Sequence, residues 1–281
     1  MSASVKFKGN AGNHMFQYIT ALVYCVKYNI QLDTQPTEKM LKILKFSESI
    51  FSIKKENPEG KKGKCKLTFR NFNENDELTF KGDNYHYIFT DFFQNSGYLN
   101  NNYDIIKQHV FPIKYDCTPY LSNYKNIQEN DILFIIRLGD FKHQGKNSEI
   151  IHPNYFLTIL KNNKFSNIYI LIHPSNDKSR DKYLGFFNDY KEQIILLEKR
   201  NELIDFNIIK YFKNIAITNS TFNWWSVFFE EDIKSKKIFT PKLIGYCGIG
   251  ERFKCHGAHV KNLYNIRNTS IPIDNEFINL G

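Results

Sequence analysis

Apolar and polar positions change rhythm several times along this 281-residue chain. At the start Val5 and Phe7 alternate with lysines, a period of two that predicts a short strand. Gly9 to Gly12 reads as a turn. After Asn13, the residues Met15, Ile19, Leu22, Val23 and Val26 fall at helical spacing. Asn13 is the expected N-cap, the pattern ends at Asn29, and Ile30 to Leu32 begins a second strand. Strand, glycine turn, helix and strand open an α/β layer whose first helix points its N-terminus at the turn. Residues 39 to 90 mix both rhythms. Tyr87 to Thr90 then reads as a strand and Asn102 to Val110 as a helix; Pro112 and Pro119 mark a change of unit, with a linker expected near residues 112 to 128.

Beyond the linker the pattern is cleaner. Ile132 to Ile136 is a continuous apolar run, suited to a strand covered on both faces. A helix is expected from Pro153 through Leu160, since proline suits a first helical position. Next come strand Ile168 to Ile172, a helix around Asp181 to Tyr190, strand Ile194 to Leu197 and a helix from Leu203 to Phe212. Strand Ile215 to Thr218 leads into ITNSTFNWW, whose polar turn opens another helix, and Lys237 to Phe239 is a further strand. Strands separated by helices imply a parallel sheet that takes ligands outside the strands' carboxyl ends.

Composition narrows the class. Hydrophobic residues make up 42% of the chain, enough for one large or two modest cores. No run of 18 apolar residues occurs, and MSASVKFKGN lacks a signal peptide's apolar stretch, so a cytoplasmic protein, or one peripheral at a membrane, is expected. Five cysteines in such a chain read as free thiols. Cys247, Cys255, His256 and His259 have the wrong spacing for zinc, and no metal site is expected. A net charge of +9 favours anionic partners. Much of the charge lies in KKENPEGKKGKCK, read as a solvated loop. No nucleic-acid-binding signature accompanies it, so nucleic acid is a weak rival partner.

Three polar turns close strands: Gly9 to Asn13, Arg137 to Asp140, and Asn219 to Thr221. In a doubly wound domain such turns share one edge of the sheet. They suit a diphosphate: helix N-termini offer N–H donors, Ser220 and Thr221 add hydroxyls, and Arg137 supplies a planar cation. Neither a GxxxxGK[ST] loop nor a GxGxxG fingerprint is present. Each turn also has a plainer reading, as a tight joint, a surface ion pair of Arg137 with Asp140, or an N-cap. Phe222, Trp224 and Trp225 are read as core.

Together these motifs resemble glycosyltransferase family 11, the alpha-1,2-fucosyltransferase family. Gly9-Asn10-Ala11-Gly12-Asn13-His14-Met15-Phe16-Gln17-Tyr18 is similar to its GGLGNQMFQY opening, and Phe92 to Tyr98 to its YFQSEKY segment. Ile135 to Phe141 takes the place of HIRRGDY, Tyr155-Phe156 of paired aromatics, and Asn219 to Trp225 of ANSTFSWW. Pro241-Lys242 resembles the family's APK.

The resemblance implies an α/β, GT-B-like fold, two Rossmann-like domains facing a central cleft. Residues 1–125 would form the acceptor side and 126–281 the donor-binding domain, the last residues packing back on the first. It implies transfer with inversion of fucose or a related deoxysugar from a GDP-sugar, without an essential metal or other cofactor, to an oligosaccharide or lipid-linked glycan. By position, Arg137 would grip the pyrophosphate, Asn219, Ser220, Thr221 and the Phe222 amide would cradle phosphates, and Gly12 and Asn13 would serve the donor from the other domain. Candidate acid–base groups are His14, Asp140 and Glu149, with Asp91, Gln94 and His152 on the acceptor side. The chain departs from the family at Ile135 and Leu138, which stand where it has histidine and a second arginine, and it has no clean match to the SDD segment. Those departures keep two rivals open: a different nucleotide-sugar donor, and a non-catalytic nucleotide- or glycan-binding descendant.

Overall fold

The computed structural model describes residues 1–48, 65–69, 78–138, 150–173, 177–242, 266–267, 269–274 and 277–278. The chain is mixed α/β and divides into two compact units, Met1–Ile113 and Lys114–Gly281.

Unit 1 contains β1 (Ser2–Val5), α1 (Ala11–Lys27), β2 (Gln31–Leu32), α2 (Glu38–Leu41), β3 (Leu44–Phe46), β4 (Cys65–Phe69), β5 (Tyr85–Phe89), α3 (Ser96–Asn101), α4 (Tyr103–His109) and β6 (Val110–Pro112). Its sheet is parallel with order β2-β1-β5-β4, and β3 pairs with β6 as a small antiparallel ribbon. β1 ends at Val5, two residues before the expected Phe7, whose ring packs against His14 and Tyr18. α1 is buried on nearly every side, as its apolar residues require. The helix stops where the pattern predicted. Asn29 takes φ +51°, and Ile30 N–H donates to Cys25 O at 2.8 Å, so a left-handed cap satisfies the terminal carbonyls.

Unit 2 contains α5 (Thr118–Leu121), β7 (Ile132–Arg137), β8 (Ile150–Ile151), α6 (Asn154–Asn162), β9 (Ile168–His173), α7 (Asp177–Leu184), β10 (Ile194–Leu196), α8 (Glu202–Asn207), β11 (Asn214–Ile217), α9 (Thr221–Phe228), β12 (Lys237–Pro241), β13 (Ser270–Ile273) and β14 (Phe277–Ile278). Two expected helices are shorter and finish as 3₁₀ turns, Gly185–Gln193 and Ile208–Tyr211. The main sheet is parallel with order β10-β9-β7-β11-β12-β13, and β8 pairs antiparallel with β14. In chain order that is 3-2-1-4-5-6, the doubly wound order with a switch point between its first and fourth strands. β7 sits at the centre, which explains its unbroken apolar run. Phe134 meets Phe156 of α6 at 4.6 Å. The buried Asp131 carboxylate ties the starts of β7 and β9 by accepting from Gln128 N, Asn167 N and Asn167 Nδ2. Residues from Lys114 onward bond within this unit: Tyr115 N–H donates to Asn207 Oδ1, and Cys117 N–H to Tyr211 Oη. Among the described residues no helix is long and apolar enough to cross a membrane.

Candidate functional site

In unit 2 the switch point lies between β7 and β11, which pair from Asn214–Ile132 to Ile217–Ile135. Beyond their carboxyl ends stand two residues selected from the sequence. Arg137 closes β7, and its Nη1 donates to Ser220 Oγ at 3.4 Å. Ser220 is the N-cap of α9, extended at φ −91° and ψ 119°, with its hydroxyl not spent on capping its own helix. The eight-residue α9 therefore begins at the crevice with Thr221 and Phe222 half-buried at its first turn. A half-buried guanidinium, a hydroxyl and a helix N-terminus together form an anion-binding arrangement.

The surroundings of this crevice are closely packed. Tyr155 Oη, fully buried on α6, donates to Ile217 O at 3.0 Å and fixes the end of β11. Trp224 and Trp225 are buried and form an aromatic stack with Phe228 and Phe229, anchoring α9 as the sequence suggested. Phe222 packs edge-on against Phe206. Asn219 is buried. Ile135 and Leu138, the two departures from the family pattern, are each 1% exposed and belong to the core on either side of Arg137.

One strand further out lies a cavity of about 450 Å³. Its wall begins at His173, the register partner of Arg137 on β9, and continues through Arg180, Glu198, Arg200 and Asp205 beyond the end of β10. Arg180, Glu198, Arg200 and Asp205 were missed from sequence. The signal was the charged run Glu198-Lys199-Arg200 with Glu202 and Asp205 directly after a predicted strand, at the ligand-bearing edge of a parallel sheet. Burial raises the Asp205 carboxyl to about 6, against the lowering influence of Arg200.

Unit 1 has its own switch point, between β1 and β5, and gathers a second set of selected residues there. Asn13 is not the N-cap of α1. The helix begins at Ala11 after Asn10, and Asn13 in its first turn accepts from Gln94 Nε2 at 2.9 Å through Oδ1. Gly9 makes the turn at φ +82°, and a Cβ there would lie 2.3 Å from Asn13 Nδ2. Gln94 follows Phe93, a buried residue held at φ +52°. Gly12 is buried within α1. Asp91 Oδ1 accepts from Phe92 N. His14 shares a 3.1 Å hydrogen bond with Thr37 Oγ1, and burial together with Lys39 lowers its pKa.

His152 stands just ahead of α6. Its Nδ1 accepts from Asn154 N at 3.1 Å at the start of α6, and its ring meets Phe186. Asp140 and Glu149 lie outside the described residues, as do Cys247, Cys255, His256 and His259. Among the described residues no group of three or more His, Cys, Asp or Glu side chains is placed to hold a metal ion. No protein-family model matches the chain, and no curated protein matches it either.

Proposed function

We propose that the chain is an inverting glycosyltransferase of the family 11 type, taking fucose or a related deoxysugar from a GDP-sugar to a hydroxyl of a surface-glycan precursor. The observation that carries this reading is the meeting of Arg137 with Ser220 at the start of α9, beyond the two central strands of a 3-2-1-4-5-6 parallel sheet. An anion site at that point suits the diphosphate, and the adjoining cavity suits the nucleoside end of the donor. The reading includes a GT-B-like arrangement in which unit 1 supplies the acceptor side.

The chemistry follows from the charges. The acceptor oxygen bonds to the anomeric carbon as the bond from that carbon to the diphosphate oxygen breaks, and the electron pair leaves with the diphosphate. Arg137 and the amides of α9 stabilise that growing negative charge more than they stabilise the intact donor. The acceptor's proton goes to a base among His14, Asp91, Asp140, Glu149 and His152. Of these, His14 has its pKa lowered, which keeps the imidazole neutral and able to accept.

Calorimetric titration with GDP and with UDP in EDTA, on wild type and Arg137→Ala, tests the reading. GDP binding without metal, no UDP binding and loss of binding in the variant are the expected results. UDP preference would replace the donor class, and no nucleotide binding would refute the reading. The buried Ile135 and Leu138 favour a second reading, a donor-binding protein without transferase activity. Donor affinity with no product under acceptor screening would select it.

A further inference from the structure

The cavity beyond β9 and β10 owes its shape to one side chain. Arg200 Nη1 donates to Leu197 O at 2.7 Å, Nη2 donates to Ile172 O, and Nε lies 2.6 Å from Asp205 Oδ1. A single guanidinium thus joins the end of β9, the turn after β10 and helix α8. The turn itself is strained: Lys199 sits at φ +53° without being glycine. Leu197 N–H still bonds to Ile170 O, so the ladder runs up to the turn before Arg200 folds back over it. Asp205 is buried and the Arg200 side chain is 12% exposed, so the pair is largely shielded from water.

We propose that Arg200 is a positioning residue for the nucleotide: it braces the cavity wall and holds the Asp205 carboxylate in place within it. The proposal rests on the donor-site reading above. A buried carboxylate without its cation protonates near neutral pH. Without the three-way brace, the strained turn at Lys199 loses its ties to β9 and α8 and keeps those on its other side, where Tyr120 Oη donates to Glu198 O at 2.8 Å and Glu198 N–H donates to Tyr124 Oη at 3.0 Å. The other titratable groups around the pair are Glu202 on α8, Cys117 at the start of α5 and Tyr120 within it, and His173, Arg180, Glu198 and Lys199 of the cavity wall. Of the cavity wall, Arg180 is taken by Glu198 at 3.1 Å, so it is not a substitute cation for Asp205.

The test is calorimetric GDP binding in EDTA from pH 5.5 to 8.5, on wild type, Arg137→Ala, Arg200→Gln and Arg200→Lys, each checked for folding by circular dichroism. Wild type should lose affinity as pH falls through about 6. Arg200→Gln should bind roughly tenfold to a hundredfold more weakly at pH 7.5, the scale on which misplaced positioning groups act. Its pH midpoint should move upward. Arg200→Lys should return the midpoint toward wild type without restoring affinity, because a lysine keeps the charge but not the fork. Wild-type affinity and pH profile in Arg200→Gln would overturn the brace while leaving the Arg137 reading intact. If Arg200→Gln does not fold, wild-type affinity in Arg200→Lys overturns it. Absence of any GDP binding by wild type overturns both.

Discussion

Lys236 offers a sharp separation between stability and ligand binding. Its side chain is 3% exposed at the start of β12, the edge of the sheet opposite the candidate site. Nζ donates to Ile209 O at 3.2 Å, Lys210 O at 3.0 Å and Phe212 O at 2.8 Å, with Glu230 at 4.0 Å. These carbonyls end a 3₁₀ turn and lack donors of their own along it, except Ile209 O, which also accepts from Phe212 N. Lys236→Met keeps the aliphatic stem and deletes the ammonium. The loss then falls mainly on two carbonyls, at about 1–3 kcal/mol each for acceptors left buried and unpaired. The cost of burying the ammonium, which lowers the Lys236 pKa, is recovered and offsets part of this. A net destabilisation of about 2–4 kcal/mol is expected. Urea unfolding followed by tryptophan fluorescence reads it directly, since Trp224 and Trp225 are both buried in the same unit. GDP affinity should not change. A stability within about 0.5 kcal/mol of wild type, the range of ordinary surface changes, would refute the argument.

Other expectations follow from single contacts. Gly9→Ala places a Cβ against Asn13 in a left-handed conformation, so unit 1 should lose about 1–3 kcal/mol; unchanged thermal unfolding would count against the turn as described. Tyr155→Phe deletes one buried hydrogen bond to Ile217 O and should cost about 1–2 kcal/mol in the same urea assay, less than Lys236→Met. His14 should titrate by NMR below the ordinary histidine midpoint, owing to burial and then Lys39. The folded state then binds that proton more weakly than the unfolded chain. Stability therefore falls as pH drops from about 6.5 toward the folded midpoint, and His14→Gln should remove that slope. A midpoint at or above the ordinary value would contradict the described burial.

Much of the architecture is written locally. The apolar run of β7 announced a central strand, Asn29 stopped α1, and the polar turn before Thr221 opened α9, each within a few residues of its cause. Periodicity and capping depend on neighbours no more than about five residues apart, so a sequence displays them directly. What the sequence could not supply were pairings across long loops. Asn13 looked like a helix cap because its partner, Gln94, lies 81 residues away. Arg137 meets Ser220, 83 residues on, a contact that no local pattern could announce. Arg200 and Asp205 are near in sequence, but the pair becomes a cavity wall only because β9 comes back alongside β10. The sequence by itself determined the strands and helices of its cleanly periodic stretches and the polar turns between them, but not short strands such as β3, β6, β8 and β13. The strand order, and therefore which turns share a switch point, was decided by the tertiary packing, because non-local contacts form only after loop closure and burial have chosen which strands lie side by side.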